Sequence, residues 1–297
     1  MAEVVFIGLS LGSILLLIAL GLTITYGAMG VINMAHGEMV MIGAYTAVWT
    51  QIYLGLNLFF AIPIAFLVTA GLGLLMERVV VRRLYGRLLD TLLATWGVAI
   101  LIQQAIVLEF GLRFFDIRVE GLGPGLQKVD VPPVFLQTFS IGDFVIQPYR
   151  TFIIVLTAGL ALLTWWLLYR TAYGMQVRAI MRNPSMAASC GIDVKRSNAL
   201  TFAFGSGLAG VAGVMISGFR TVFPDMGTPM VVDGFMVVVV GGVGSLLGSI
   251  ASAGLLGQLN GVIASLSNDI LARAVVFGTV ILIIMWRPKG LFSFKGR

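Results

Sequence analysis

The polar residues that could do chemistry in this sequence lie inside stretches that are otherwise apolar. Asn33, His36 and Glu38 fall within one short segment, and Asp233 opens a glycine-rich segment in the other half of the chain. A charged side chain at the centre of a bilayer is unfavourable by several kcal/mol, so such an acid lines water, pairs with a cation or lies near an interface. The candidate residues for a solute path are Asn33, His36, Glu38, Thr95, Trp96, Gln103 and Asp233.

The same residues also have a purely structural interpretation. We favour a hydrogen-bonded core role for His36, the single histidine, over a role as proton carrier. For Glu38 and Asp233, capping or packing of a helix end is favoured over lining a pathway. Both interpretations stay open.

Two motifs of enzyme chemistry are missing. The sequence contains no phosphate-binding loop G-x-x-x-x-G-K-[ST] and no H-E-x-x-H zinc motif. Its single cysteine, Cys190, excludes an internal disulfide and a cysteine-based zinc site. The sequence therefore predicts a protein without catalytic residues, metal ligands or a cofactor of its own.

Composition places these residues in a membrane protein. Of 297 residues, 59% are hydrophobic and only 11% are charged, whereas soluble domains carry about 25% charged residues. A bilayer span needs about 20 apolar residues. We predict an all-α polytopic protein with eight or nine membrane segments, because it is open whether the stretch 231–248 crosses fully. The other predicted spans cover 4–26, 39–54, 58–76, 91–110, 151–169, 199–218, a segment ending near 266, and 270–286.

Two of these regions are interrupted by glycine, near 27–38 and 233–248. Broken helices in corresponding positions of two halves are typical of transporters built from internal repeats. Unwound backbone at membrane depth is tolerated only where protein or a water-filled cavity covers it. Flexibility at helix junctions stays open as the alternative, because the two halves do not align residue by residue.

The distribution of Lys and Arg predicts the orientation. Thirteen of the 19 cations lie in 77–90, in 170–197 and in the C-terminal tail, and short cation-rich loops face the cytoplasm. In the loop 112–150 four cations are balanced by four acids, which favours the periplasm. Within it, 139–146 is predicted to form a hairpin with its turn at 142–143. The N-terminus is then predicted to be periplasmic and the C-terminus cytoplasmic.

The loop 170–197 contains a short helix with recognisable ends. Asn183 is a favourable N-cap, and Pro184 suits the first helical position, where an N–H would have no helical partner. Gly191 can adopt the left-handed conformation that ends a helix. The loop has five cations and one acid, and the cations hold it near the membrane surface. The pattern predicts a capped helix at about 184–190 that a cytoplasmic partner grips.

Small residues recur every four positions in two predicted spans. Such rows allow helix backbones to approach closely in lipid. They indicate packing within one bundle, with packing against a second membrane subunit as the alternative. The rows are Gly205, Ala209, Gly213 and Ser217, and Gly241, Ser245, Ser249, Ala253 and Gly257. The residues assigned to helix packing are Gly205, Ala209, Gly213, Gly241, Gly242, Gly244 and Gly248.

Three stretches resemble the branched-chain amino acid permeases of ABC importers, the LivH type, over nearly the whole chain. They are Gly30-Val-Ile-Asn-Met-Ala-His-Gly-Glu38 with Gly43-Ala-Tyr45, then Gly174-x-x-x-Arg178-Ala179 with Asn183, Ala187 and Gly191-Ile192, and finally Gly241-Gly-Val-Gly244 with Gly248. The resemblance implies a single permease domain over 1–297. It also implies that the loop 170–197 is the coupling loop that docks into ATPase subunits.

Within that family the likeness is closer to the urea-transport permeases, the UrtB type. It rests on Thr91-Leu-Leu-Ala-Thr-Trp-Gly97 with Gln103-Gln104, on Met186-Ala-Ala, on Val232-Asp-x-Phe-Met236 and on Arg287-Pro-x-Gly-Leu-Phe292. Urea is small and neutral, so its path needs neutral hydrogen-bonding groups. An amino-acid zwitterion would favour a helix N-terminus or a paired ion site. The spans, which hold few charges, therefore favour urea.

The resemblance implies the membrane-spanning permease subunit of an ATP-driven importer in a bacterial inner membrane. Urea is the expected substrate, with branched-chain amino acids or short-chain amides as alternatives. An ATP-independent channel or secondary transporter is the alternative from another class. The expected partners are a second homologous permease, two cytoplasmic ATPases that bind ATP and Mg²⁺, a periplasmic binding protein and the lipid bilayer, but no nucleic acid.

The coupling residues follow from the same resemblance. Arg178 and Arg182 are expected to hold the loop to the ATPase and to lipid headgroups. We expect Ala187→Glu to uncouple transport by spoiling the contact with the ATPase. The implied ATPase-coupling residues are Arg178, Arg182, Asn183, Pro184, Ser185, Met186, Ala187, Ala188 and Gly191.

Overall fold

Apolar runs ended by glycine, proline or cations fold here as helices of a single bundle. The computed structural model describes residues 2–108, 126–135, 137, 139–141, 144–288 and 290–292. The helices are α1 (Ala2–Met29), α2 (His36–Leu54), α3 (Leu58–Val79), α4 (Leu88–Val107), α5 (Pro148–Arg170), α6 (Ala172–Arg182), α7 (Pro184–Ser189), α8 (Val194–Ser217), α9 (Gly227–Gly241), α10 (Leu246–Leu266) and α11 (Asp269–Trp286). Short 3₁₀ turns cover Val81–Leu84 and Pro133–Phe135.

The all-α membrane architecture is confirmed, but the number of long spans is lower than predicted. In the described part of the chain, seven helices are long and apolar enough to cross a bilayer: α1, α3, α4, α5, α8, α10 and α11. The remaining two segments of the prediction are α2 and α9. Helix α9 has only 15 residues, and α2 begins with His36 and Glu38 in its first turn. A count from hydropathy alone cannot distinguish such segments from full spans.

The predicted hairpin at 139–146 is present as β1 (Phe139–Ile141) and β2 (Phe144–Ile146). The strands are antiparallel, and Ser140 lies opposite Val145. The turn predicted at 142–143 lies outside the described residues, as do residues 112–125.

Helix α8 occupies the centre of the bundle. Within its membrane-spanning window 83% of residues are buried, against 17% in α4 and in α11. Its glycines permit close approach of neighbouring backbones. A Cβ on Gly205 would lie 2.8 Å from the carbonyl oxygen of Gly21, and one on Gly213 would overlap the carbonyl oxygen of Val40. The small-residue row of α8 thus packs within the chain, against α1 and α2.

The first glycine-broken segment lies between α1 and α2. Gly30 has a φ of +64°, and the next helix begins only at His36. The Nε2 atom of His36 is 3.1 Å from the carbonyl oxygen of Ile18, in the middle of α1. From Ile18 to the end of α1 is a rise of about 16 Å, and the six residues 30–35 can span about 20 Å when extended. This segment therefore runs back along α1 inside the bundle, and α2 begins there.

Helix α9 also begins inside the bundle, where it meets the start of α2. A Cβ on Gly227 would lie 2.8 Å from the carbonyl carbon of Gly37. From that point α9 follows α1 towards its C-terminal end, where Gly244 lies against Gly27. Helix α2 runs the other way and ends near Gln51, whose side chain exchanges two hydrogen bonds with the backbone of Asp130. The same arrangement thus occurs twice, in α1–α2 and in α8–α9: a long helix is followed by a segment that turns back into the bundle, and the next helix begins there.

Candidate functional site

The loop 170–197 folds as two helices. The predicted capped helix is confirmed as α7: the Asn183 side chain accepts a hydrogen bond from the Met186 amide at 3.0 Å, Pro184 occupies the first turn, and Gly191 has a φ of +83°. The preceding helix α6 was not predicted. The Thr171 hydroxyl caps it by accepting a hydrogen bond from the Gly174 amide.

Helix α7 presents most of its surface to solvent. Met186 is 64% exposed, and Pro184, Ser185 and Ala188 are exposed as well. Ala187 is different, because only 4% of it is exposed and its carbonyl accepts a hydrogen bond from the Ile192 amide. A glutamate at this position would disturb the loop itself. The surface available to a partner is therefore the face around Met186.

The two arginines of α6 have different surroundings. Arg182 is exposed. The Arg178 guanidinium lies 5.1 Å from the centre of the Tyr169 ring. Its Nη1 atom is buried and has no hydrogen-bond partner among the described residues. Arg178 thus faces the interior of the chain more than the solvent.

A buried acid anchors the loop that precedes α4, next to the loop 170–197. Glu77 is fully buried and accepts hydrogen bonds from Arg82, at 2.9 and 3.2 Å, and from the Tyr85 hydroxyl at 2.5 Å. Burial and the hydrogen bond to Glu77 raise the pKa of Tyr85 above its usual range. Sequence reasoning counted Arg82 only as a cytoplasmic cation. The available signal was Glu77 itself, because it is an acid among four arginines.

The loop 170–197 is tied to the bundle through Tyr173 on α6. Its hydroxyl lies 2.7 Å from the hydroxyl of Thr201 on α8. Burial raises the pKa of Tyr173. At the start of α8, Asp193 accepts a hydrogen bond from the Arg196 amide at 2.9 Å. A force applied to α6 and α7 would therefore reach the central helix directly.

The candidates of the first broken segment come together in the bundle interior. His36 and Glu38 lie in the first turn of α2, and Asn33 accepts a hydrogen bond from the Ala35 amide just before it. All three residues are at most 2% exposed. The carboxyl carbon of Glu38 would lie 2.9 Å from a Cβ on Gly227, at the start of α9. A carboxylate is favourable near two helix N-termini. However, α2 has no side-chain capping hydrogen bond, and the Oε2 atom of Glu38 is buried without a hydrogen-bond partner among the described residues, so the capping role of Glu38 stays a prediction.

Of the candidates on α4, only one joins this group. The Thr95 hydroxyl is buried and accepts a hydrogen bond from the Met34 amide at 3.1 Å. Gln103 lies farther along the helix and donates to Asp225 at 3.1 Å. Trp96 is 53% exposed on the outside of α4. The predicted solute-path residues therefore do not form one continuous lining within this chain.

Asp233 lies elsewhere and has a different setting from the one predicted. It sits in the middle of α9 rather than at the opening of a break, which lies at 242–245. Its carboxylate is 3.6 Å from Arg273 on α11. The pair borders a cavity of about 280 Å³, to which Arg150, Arg220 and Asn260 also contribute.

Sequence reasoning missed the other charged residues of this cavity. Arg273 is a cation inside the predicted span 270–286 and was a sufficient signal, because cations within spans are rare and functional. Asp269 also lines the cavity, and the rest of the wall is apolar, with Leu11 and Ile14 from α1 and the aromatic Phe219 among its residues. We name this site the ion-pair cavity.

The small residues assigned to helix packing lie at two places, on α8 and at the second glycine break. Ala209 is fully buried on α8. Gly241 and Gly248 face each other across the second break, where a Cβ on Gly241 would lie 2.5 Å from the Gly248 carbonyl. Gly242 and Gly244 have φ values of +96° and +76°, which favour glycine. Glycine is thus required in this break both for the backbone conformation and for the close packing.

One apparent enzyme motif occurs in the chain. The spacing G-x-S-x-G is found at Gly8-Leu9-Ser10-Leu11-Gly12, inside α1, where Ser10 is only 2% exposed. A nucleophile elbow requires an exposed serine between a strand and a helix. This match is therefore not a catalytic site.

Comparison with known proteins identifies the family. Residues 4–285 match the model described as branched-chain amino acid transport system / permease component. The high-affinity branched-chain amino acid transport system permease protein BraD of Pseudomonas aeruginosa is 31% identical, covering 96% of this chain and 94% of that protein. LivH of Escherichia coli K12 is 30% identical, with 97% and 94% covered. A probable LivH of Methanocaldococcus jannaschii is 28% identical, with 92% and 84% covered.

No solved structure matches the chain. These relatives are transport permeases, so the expectation of a membrane transport subunit rather than an enzyme is confirmed. The chain belongs to the family of branched-chain amino acid transport system permease components of ABC importers.

Proposed function

We propose that the chain is the permease subunit of an ATP-driven importer of branched-chain amino acids, with the ATPase sites on other chains. The ion-pair cavity is the observation that carries the substrate assignment. A branched-chain amino acid presents a carboxylate, an ammonium group and an apolar side chain. The cavity offers three arginines to the carboxylate, Asp233 and Asp269 to the ammonium group, and apolar walls to the side chain.

The same ion pair weakens the argument that favoured urea. The preference for urea over a zwitterion depends on spans without a paired ion site. Asp233 and Arg273 lie within α9 and α11, and they form such a site. Charged groups in this position are expensive unless they pair or bind a charged ligand, and a neutral solute gives no reason to keep them.

Urea is the second candidate. It is favoured by the resemblance of 91–97 to urea permeases and by the Gln103 amide, a neutral hydrogen-bonding group on α4. A path along that helix would serve a small amide better than a zwitterion. The two candidates thus predict different regions of the chain as the solute path.

The proposed orientation places the coupling loop in the cytoplasm. Arg82 of the 77–90 loop and Lys195 of the coupling loop border one surface cavity, and the Leu291 amide of the tail donates to the Val240 carbonyl at the end of α9. All three cation-rich regions therefore lie near one end of the bundle, which supports a cytoplasmic assignment for that end. Nine crossings, with α2 and α9 included, then put the N-terminus in the periplasm.

The proposed partners are those of an ABC importer: a second permease, two ATPases and a periplasmic binding protein. The exposed face of α7 supports docking to an ATPase. The low burial of α4 and α11 leaves apolar faces for lipid or for a second permease. A single permease chain without partners would leave the exposed Met186 on α7 without a role.

Uptake by the assembled complex tests the proposal. Labelled leucine and labelled urea are offered separately to vesicles that contain the complex, the binding protein and internal ATP. We expect ATP-dependent accumulation of leucine and none of urea. Accumulation of urea alone would overturn the substrate assignment, and uptake without ATP would overturn the importer itself.

The coupling surface is tested at Met186 rather than at Ala187. We expect Met186→Glu to lower ATP-driven uptake at least tenfold while the complex stays folded, because the change affects only the docking face. Met175→Glu is the matched control: Met175 is 61% exposed on α6, close to the 64% of Met186. It should change uptake less than twofold. Normal uptake by Met186→Glu would show that α7 does not couple.

A further inference from the structure

A second and larger cavity, of about 620 Å³, opens between α1, α5, α6 and the turn that follows α9. Its walls are mainly apolar and include Ile24, Leu168 and Leu246. Two cations, Arg178 and Arg182, border it from α6. Among the described residues that line it there is no aspartate or glutamate. The cavity therefore joins a basic edge to an apolar interior.

Arg178 lacks an anionic partner in this cavity. Its guanidinium stacks on Tyr169 at 5.1 Å, and its Nη1 atom is buried without a hydrogen bond within the described part of the chain. A buried donor of a charged group that remains unpaired is strongly unfavourable. The guanidinium is rigid and planar and matches the oxygens of a phosphate group. An anion in the cavity would accept a hydrogen bond from this buried donor.

The cavity lies at the level of a membrane interface. Helix α5 ends with Trp165, Trp166, Tyr169 and Arg170, and the Arg170 guanidinium lies 5.9 Å from the Trp165 ring. Tryptophan and tyrosine gather at the headgroup level of bilayers. Helix α6 buries Val177 and lies directly after this belt. An anion that reaches Arg178 from the bilayer would be a lipid headgroup.

We propose that this cavity binds an anionic phospholipid of the cytoplasmic leaflet. Its phosphate would pair with Arg178 and Arg182, and its acyl chains would follow Leu168 and Leu246. Basic pockets between membrane helices on the cytoplasmic side are suited to such headgroups. Free phosphate shares the chemistry of the headgroup, but it would leave the apolar walls uncovered. The proposal is independent of which solute the importer carries.

A lipid in this position would act on coupling. The cavity also includes Gly27 and Gly244, at the two glycine-broken segments, and Met181 of α6 contacts both glycines. Helix α6 leads into α7, the docking helix. The bound lipid would hold α6 against the breaks and so fix the position of α7.

The test is a lipid titration of the complex that co-purifies with this chain, delipidated in a neutral detergent. Phosphatidylglycerol, phosphatidylcholine and inorganic phosphate are added separately, and bound lipid is counted by native mass spectrometry. We expect saturable binding of phosphatidylglycerol only. Arg178→Gln should weaken it at least tenfold and Arg182→Gln about threefold. Arg170→Gln, at the same interface but outside the cavity, should change it less than twofold.

Several results would overturn the proposal. They are equal binding of phosphatidylcholine, saturation by inorganic phosphate alone, and unchanged binding by Arg178→Gln. Binding by the isolated permease but not by the assembled complex would also overturn it, because an acidic side chain of an ATPase would then occupy the site. If the complex with Arg178→Gln does not assemble, Arg178→Lys and Arg182→Gln test the proposal instead. Each of these variants keeps a cation at the site, and each should weaken the binding of phosphatidylglycerol about threefold.

Discussion

Two ion pairs of this chain differ in how completely the protein surrounds them. Glu77 is fully buried and receives three hydrogen bonds, two from Arg82 and one from Tyr85. Asp233 and Arg273 stand 3.6 Å apart at the edge of a cavity, with side chains that are 18% and 45% exposed. The first carboxylate has no room for a ligand. The second pair is open to a third partner.

The difference indicates different roles. A carboxylate that is buried and fully hydrogen-bonded stabilises one arrangement of the chain, and removing its charge leaves its partners without an acceptor. A loose pair in a cavity contributes little to folding, because solvent weakens its attraction. It can instead exchange its own contact for contacts to a charged solute. The geometry therefore favours a role in stability for Glu77–Arg82, and it agrees with the role in transport proposed for Asp233–Arg273.

The largest expected effect comes from Glu77→Gln. The amide cannot form the charged double contact with Arg82, so we expect a loss of about 2–3 kcal/mol in the free energy of unfolding, below the full value for a buried pair because Arg82 is 31% exposed. The measurement is denaturant unfolding of the purified chain in detergent. Asp90→Asn is the control, since the exposed Arg87–Asp90 pair contributes at most about 0.5 kcal/mol. Equal losses in both variants would contradict the structural role of Glu77.

The opposite pattern is expected for Asp233→Asn. We expect leucine uptake by the complex to fall about tenfold, which corresponds to about 1.4 kcal/mol in the barrier. The unfolding free energy should change by less than about 1 kcal/mol, as for a partly exposed pair. Arg273→Gln should behave in the same way, because it removes the other member.

The two ion pairs do not differ in role if uptake and unfolding free energy change together. A loss of stability in Asp233→Asn equal to that in Glu77→Gln would make the pair structural. Unchanged leucine uptake by both Asp233→Asn and Arg273→Gln would exclude the ion-pair cavity from the solute path.

The sequence predicted best what depends on local chemistry. Asn183, Pro184 and Gly191 define the ends of α7 through capping and backbone conformation alone, and the structure confirms them. The first glycine break was found in the same way, from Gly30. The local pattern also predicted a cytoplasmic partner for this helix, and the family resemblance added that the partner is an ATPase.

What failed depends on contacts between distant residues. Arg273 is forty positions from Asp233, and only the packing of α9 against α11 brings them together. Ala187 belongs to the predicted docking helix, but tertiary packing turns it inwards. Helix α9 was predicted only as a glycine-rich stretch. Helix α9 begins at Gly227, against Gly37, and this position depends on the path of the segment between α8 and α9.

The smallest effect concerns the hydroxyl that completes the Glu77 cluster. Burial and the hydrogen bond to Glu77 raise the pKa of Tyr85 from its ordinary value of 10.0. Above pH 10 the unfolded chain therefore loses this proton while the folded chain retains it, so stability falls as pH rises. The contribution of the protonated Tyr85 hydroxyl to stability is fully present below pH 10 and is lost progressively above it.

Tyr85→Phe isolates this contribution. The variant loses one hydrogen bond to a carboxylate, about 1.5 kcal/mol at pH 8, but it no longer titrates at this position. Between pH 10 and 11 the stability of the wild type should therefore fall more steeply than that of Tyr85→Phe, by up to about 1 kcal/mol. Denaturant unfolding at pH 8, 10 and 11 measures both slopes, and the other tyrosines cancel in the difference. Parallel slopes would mean that the Tyr85 hydroxyl is not held by Glu77, and that the Glu77 cluster is less closed than the ion-pair comparison requires.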